Sequence, residues 1–150
     1  MTVPIFLQMQ IPVKLAHPNL RPLRAHPTDA GADLFSVDYY EIYPGEQKMV
    51  DTGVAVMIPV GYVGLVYNRS SQGKIGVQIA NQVGVIDSDY RGNIKVLLKN
   101  NGEDPYIIRQ QDTRIAQLVI APVILAQFGD YTGTDWDNTA RGTGGFGSTG

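Results

Sequence analysis

The sequence predicts an all-β protein, a sandwich or barrel built from about ten short strands. Three observations carry that prediction. Short β-branched and apolar runs recur along the chain, each closed by Gly, Pro, Asn or Asp. No segment sustains a 3.6-residue apolar period, apart from one short helical turn around residues 70–76. Pro12, Pro18, Pro22 and Pro27 lie within sixteen residues and all but forbid a helix in the first part of the chain.

In chain order, Pro4 to Val13 is β-like and apolar, punctuated by Pro4 and Pro12. Thr28 to Ser36 sets small residues around Gly31 and continues into a short apolar run. Tyr39 to Tyr43 reads as a strand, and Pro44-Gly45-Glu46 turns the chain. Met49 to Ile58 is β-rich with partial alternation, and Pro59-Val60-Gly61 turns it into Tyr62 to Tyr67. Asn68 to Lys74 is a polar loop or helical turn. Val83 with Val85 and Ile86 runs into Asp87-Ser88-Asp89-Tyr90, and Arg91-Gly92-Asn93 leads to Ile94 to Leu98. Strand, acidic turn and strand predict a β-hairpin with chemistry at its tip. Tyr106 to Arg109 and Arg114 to Leu125 complete the strands, with Pro122 at a bend or edge.

Residues 1–128 are therefore expected to form one β domain, large enough for a core without disulfides. Residues 129–150 differ in kind: seven Gly and only Tyr131, Trp136 and Phe146 as large apolar residues. Such a composition buries little surface and predicts an arm that is mobile when unliganded.

Composition excludes several chemistries. With no Cys there is no thiolate nucleophile, disulfide or cysteine metal site. His17 and His26 sit in the Pro-rich region, a poor start for zinc or a His-based triad. A formal charge of −2 and few basic residues argue against polymeric nucleic acid. A small phosphorylated ligand needs only a few arginines and stays allowed. The apolar runs are too short to span a membrane, and the N-terminus lacks a secretion pattern, which together predict a soluble cytoplasmic protein.

Several clusters could carry chemistry. Arg141 to Thr149 approaches a phosphate-binding glycine loop, but Ser148 stands where the lysine belongs and no helix can follow, so it is no P-loop. Its glycines still let backbone N–H groups approach phosphates, and Phe146 could cover a flat base, which makes the tail a lid over a nucleotide. Arg69 with Ser70 and Ser71 could close on phosphate oxygens, although Ser-Ser is also an ordinary helix cap. Asp33, after Ala30-Gly31-Ala32, could reach a hydrated Mg2+, or be a turn residue. In Arg114-Ile115-Ala116-Gln117, strand alternation puts Ile115 and Gln117 on one side and Arg114 and Ala116 on the other.

Together and in this order, these stretches resemble the five motifs of the trimeric dUTPases. The first is similar to Ala30 to Leu34, the second to Arg69-Ser70-Ser71, and the third to Asn81 to Gly92. The fourth is similar to Arg114 to Leu118, and the fifth to Arg141 to Ser148. The resemblance implies a jelly roll that forms a homotrimer, with sites at subunit interfaces and Mg2+ on the substrate phosphates. It implies hydrolysis of dUTP to dUMP and pyrophosphate. Asp87 would activate the attacking water, a buried carboxylate being suited to that task, and Tyr90 would stack on the sugar and exclude a 2′-hydroxyl. Asn81 and the backbone at Val85 and Ile86 would read uracil, leaving no space for a C5 methyl. Arg69, Ser70, Ser71 and Gln117 would contact phosphates, and Asp33 would hold the metal through water. Arg141, Gly145, Phe146, Gly147 and Ser148 would come from a neighbour's arm. The family's fourth motif usually opens Gly-Asp-Arg, where this chain has Asp112-Thr113-Arg114; Asp112 is expected to tolerate the left-handed backbone. Asn68 stands where a Pro is common, and Trp136 has no assigned role. A dCTP deaminase of the same fold would not need the glycine-rich tail, a partner-binding protein on this body would show insertions or lost site residues, and a purely structural jelly roll would leave the motifs as unrelated coincidences.

Overall fold

A computed structural model describes residues 8–147. Among them are eleven strands, one α-helix of five residues and one 3-10 turn, so the all-β expectation holds. The strands are β1 (Val13–Leu15), β2 (Ala32–Phe35), β3 (Tyr40–Ile42), β4 (Gln47–Asp51), β5 (Val54–Val56), β6 (Tyr62–Tyr67), β7 (Val77–Ile79), β8 (Gly84–Ile86), β9 (Lys95–Asn100), β10 (Tyr106–Ile108) and β11 (Arg114–Pro122). The helix α1 spans Ser70–Lys74. Of the first predicted strand, residues 4–7 lie outside the described residues, and β1 begins only at Val13. Pro18 opens a 3-10 turn rather than an α-helix, capped by the His17 ring, which accepts from Asn19 N–H at 3.2 Å.

Four antiparallel sheets share one core: β2-β11-β6-β8, β4-β9-β7, β1-β5 and β10-β3. Each contributes fully buried side chains, including Leu34, Val66 and Ile115 from the first and Val50 and Leu98 from the second. Val54 and Val56 come from the third, and Ile42 and Ile108 from the fourth. Burying one such side chain contributes about 1.5–3 kcal/mol. Met49 to Ile58 is not one strand, because Gly53, at φ +63, breaks it between β4 and β5. A Cβ on Gly53 would also strike Leu20 Cδ1.

Buried polar groups are held by specific partners. Asn100 donates to the carbonyls of Ile42 and Asp104 at 2.8 Å each, and its Oδ1 accepts from Gly102 N–H at 2.9 Å. Thr52 donates to Ile94 O at 2.7 Å. Gln72 accepts from Arg69 N–H at 3.3 Å and donates to the Tyr106 hydroxyl at 3.2 Å, tying the start of α1 to β10. Burial pushes the Tyr106 phenol above its ordinary value.

Among the described residues regular structure ends at Pro122, which pairs with Tyr62 at the end of β11. Every residue from 122 to 143 is exposed. The segment 123–128 is therefore exposed along its length, with Val123 N–H donating to Gly61 O at 2.9 Å. No helix among the described residues is long and apolar enough to cross a membrane.

Candidate active site

Three of the candidate stretches meet at one end of the β2-β11-β6-β8 sheet. Gln117 on β11 lies opposite Asp33 on β2 and, on its other side, opposite Tyr67 at the end of β6. The chain leaving β6 carries Arg69 straight back to Asp33. Arg69 Nε donates to Asp33 Oδ1 at 2.8 Å, and Arg114 Nη1 donates to Asp33 Oδ2 at 3.2 Å. Two guanidinium groups against one carboxylate leave one net positive charge, at a partly open position suited to phosphate oxygens. Arg69 Nη1 also receives a second tie, donating to Ser71 Oγ at 3.3 Å, while Ser70 and Ser71 are exposed.

The strand carrying Arg114 does not alternate as expected. The register of β11 on β2 shifts between Arg114 and Ala116: Arg114 pairs with Phe35 and Ala116 with Leu34. Ile115 is the extra residue of a bulge, and Ile115 and Ala116 are both fully buried. The bulge brings Arg114 onto the face of Gln117 and Asp33, correcting the reading that set Arg114 opposite Gln117. Gln117 is fixed as well. Its Nε2 donates to Asn68 O at 2.9 Å, and a Cβ on Gly31 would collide with its amide oxygen, so Gly31 is the residue that makes room for it. Asn68, in the place of a common Pro, donates Nδ2 to Val77 O at 3.0 Å, while its Oδ1 is buried without a partner.

The acidic turn is not the tip of a hairpin. β8 pairs with β6, whereas β9 pairs with β4 and β7, so Asp87 to Asn93 crosses between two sheets. The turn is braced internally. Tyr90 N–H donates to Asp87 O at 3.2 Å, the Tyr90 hydroxyl donates to Asn93 O at 2.9 Å, and the ring lies where a side chain at Gly92 would stand. Arg91 Nη1 folds back onto the carbonyls of Ser88 and Tyr90, at 2.7 and 3.1 Å. Asp87 itself is exposed, not buried as the proposed chemistry supposed. Val85 and Asn81 are exposed as well, and Ile86 packs against the core. Gln82, at φ 65, makes the left-handed bend that follows Asn81.

One chain does not bring the two halves together. Ile86 lies opposite Gly64 and Gln117 opposite Tyr67 on the same strand β6. At about 3.4 Å per residue these levels are on the order of 10 Å apart. Asp87 continues away from the Asp33 end.

Among the described residues, the hydrogen bonds of the arm are local to it. Arg141 is exposed and donates Nε to Gly144 O at 2.9 Å, in a turn where Gly142 N–H donates to Thr139 Oγ1. Gly145 and Gly147 are exposed, and Phe146 is fully so. Ser148 lies outside the described residues. Trp136 packs on Tyr131 with ring centroids 5.1 Å apart and planes at 58°. The Tyr131 hydroxyl donates to the Asp135 carboxylate, holding that carboxyl below its ordinary value. Trp136 thus belongs to a local knot in the arm.

A model of the dUTPase family matches residues 20–150. The chain belongs to the dUTPase family. Among curated relatives, it is 47% identical over 137 residues to the deoxyuridine 5'-triphosphate nucleotidohydrolase of Cutibacterium acnes, covering 91% of this chain and 89% of that one. It is 44% identical over 144 residues to that of Rhodococcus erythropolis, covering 95% and 87%. Among solved structures it is similar to the Staphylococcus bacteriophage 80alpha dUTPase with dUPNHPP. There the TM-score is 0.81 and the identity 32%, with 95% of this chain and 99% of that chain covered. It is also similar to a dUTPase of phage phi11 of S. aureus, in a structure describing the coordination of a structural Mg(II) ion. There the TM-score is 0.76 and the identity 31%, with 85% and 99% covered. These likenesses carry the jelly-roll fold of the family.

Among the described residues no group of three or more His, Cys, Asp or Glu could hold a metal ion. A resident protein cage is therefore absent from them. Asp33, a single carboxylate beside two arginines, fits the other arrangement, in which Mg2+ keeps its waters and takes most of its ligands from substrate phosphates. Sequence reasoning quoted Arg114 within a dUTPase motif but gave it no role, because strand alternation pointed it away from Gln117. It also missed the brace that Arg91 makes. Only a bulge could have revealed the first, and bulges leave no mark in an apolar run.

Proposed function

We propose that the protein hydrolyses dUTP to dUMP and pyrophosphate, by attack of water on the α-phosphate, as a homotrimer whose sites lie between copies. The observation that carries the reading is the separation, within one chain, of a positively charged clamp from an acidic turn that carries a tyrosine. Each half lacks what the other has. A second copy supplying Asp87 beside the Asp33–Arg69–Arg114 clamp, with a third supplying the arm, would complete the site. The exposed Ile124, Phe128 and Phe146 support such an assembly, since an arm that apolar gains by being covered.

Asp87 orients the water and accepts its proton as the new O–P bond forms and the bond to the bridging oxygen breaks, releasing pyrophosphate. A neighbour that covers this exposed carboxylate would strengthen its pull on the water. Tyr90, held by Asn93 and Gly92, offers a fixed face to deoxyribose that leaves no room for a 2′-hydroxyl. The backbone of Val85 and Ile86, with Asn81, reads the uracil edge. Arg69, Ser70, Ser71 and Gln117 receive the phosphates, joined by Arg141 from the arm, as an arginine arriving late does in other phosphoryl-transfer sites. Phe146 covers the base, and Gly145, Gly147 and Ser148 bring backbone N–H groups to the outer phosphates. Asp33 would hold Mg2+ through water, and the bound ion would neutralise charge on the departing pyrophosphate. In the cytoplasm this activity would limit uracil incorporation into DNA and supply dUMP for dTMP synthesis.

The test is pyrophosphate release with Mg2+ from dUTP, dTTP, dCTP and UTP in parallel. Release from dUTP alone is expected; equal release from dTTP or UTP would remove the specificity assigned to the turn and to Tyr90.

A further inference from the structure

The two arginines on Asp33 are not equivalent. Arg69 is anchored twice, to Asp33 and to Ser71, and its backbone N–H donates to Gln72. Arg114 bonds the other carboxylate oxygen and reaches it only because β11 carries a bulge at Ile115. We infer that Arg114 is a positioning residue that acts through Asp33 to set how strongly Mg2+ promotes binding of the substrate triphosphate. This rests on the dUTPase reading above and gives one member of its phosphate clamp a further task.

The argument is geometric. A carboxylate has about four acceptor positions, two on each oxygen. With Arg69 on Oδ1 and Arg114 on Oδ2, the plane of Asp33 is fixed and each oxygen keeps an acceptor position for a water. Asp33 is the carboxylate that bonds both arginines and the one assigned to the hydrated metal, so its orientation decides whether that water is met. Without Arg114, Oδ2 loses its partner, and a guanidinium favours gripping both oxygens of one carboxylate in parallel. Arg69 would then draw Asp33 into a two-pronged pair and turn its free positions away from the ion. Direct phosphate contacts by Gln117 and Ser70 need no metal and would survive that change.

The experiment is calorimetric titration of the full-length protein with a non-hydrolysable α,β-imido dUTP, once in Mg2+ and once in EDTA. Arg114→Ala is compared with Arg114→Lys and with the unaltered protein. In the unaltered protein Mg2+ raises the affinity. In Arg114→Ala the ratio of the two affinities falls by about tenfold, the scale on which removal of a partner behind a metal contact acts. The affinity in EDTA falls by less than the affinity in Mg2+, because the loss of one clamp charge is common to both conditions, and Arg114→Lys, which keeps a charge but not the fork, recovers part of the ratio. Equal losses in Mg2+ and EDTA would mean that Arg114 grips phosphate directly, and would overturn the inference. An unchanged ratio in both variants would overturn it too. Should Arg114→Ala not fold, Arg114→Lys decides by the same ratio, an unaltered value counting against the proposal. If the unaltered protein does not bind the analogue at all, the dUTPase reading falls and takes this one with it.

Discussion

Asp33 and Asp87 are two carboxylates in opposite surroundings. Asp33 is largely enclosed and bonded by two guanidinium groups. Asp87 stands exposed on a turn that Tyr90 and Arg91 stiffen, and makes no ion pair among the described residues. In the proposed mechanism that difference separates binding from chemistry at the level of single residues. Asp87→Asn keeps the size and polarity of the side chain but cannot accept the water's proton. Its kcat is expected to drop by about 10²- to 10⁴-fold, with affinity for a dUTP analogue retained. Steady-state pyrophosphate release and analogue titration check this, and near-normal turnover would remove Asp87 from the reaction.

At the scale of elements, apolar runs between turn residues were a sound guide to where strands lie, and Tyr62 to Tyr67 is a strand from end to end. Partnership was not legible. β8 and β9 flank a turn and look like a hairpin, yet each finds its neighbours far away in sequence. Register was not legible either, because the bulge at Ile115 shifts the face of β11 without altering its composition. The loop before β11 gives a third case. Left-handed backbone was expected at Asp112, but it falls at Gln111, with φ 56, whose N–H donates to Ser36 O at 2.8 Å. Gln111 reaches only an exposed Asn19 amide at 3.4 Å. Gln111→Gly should therefore stabilise the protein by about 0.5–1 kcal/mol, the left-handed penalty less the extra freedom of glycine when unfolded. Urea unfolding at fixed protein concentration reads this, and a loss of stability would show that the turn depends on the glutamine side chain.

At the scale of the molecule, the site residues named from the sequence fall on three separate regions: a clamp, a crossing turn and an exposed arm. The clamp was legible as residue types, though not as a set of ion pairs, since Asp33, Arg69 and Arg114 are brought together only by the order of strands in one sheet. The absence of regular structure after Pro122 among the described residues accords with the glycine-rich composition there. Under the proposed mechanism, a chain whose Asp87 lies on the order of 10 Å or more from the Arg69 clamp cannot hydrolyse dUTP alone. The most direct test is to mix two inactive variants, Asp87→Asn and Arg69→Ala, by unfolding and refolding them together, and to measure dUTP hydrolysis. If each site draws Asp87 and Arg69 from different copies, random mixing at equal amounts rebuilds about a quarter of the sites and activity returns. No recovery from a mixture that sediments as trimers would mean that one chain holds both groups, and would contradict the shared site.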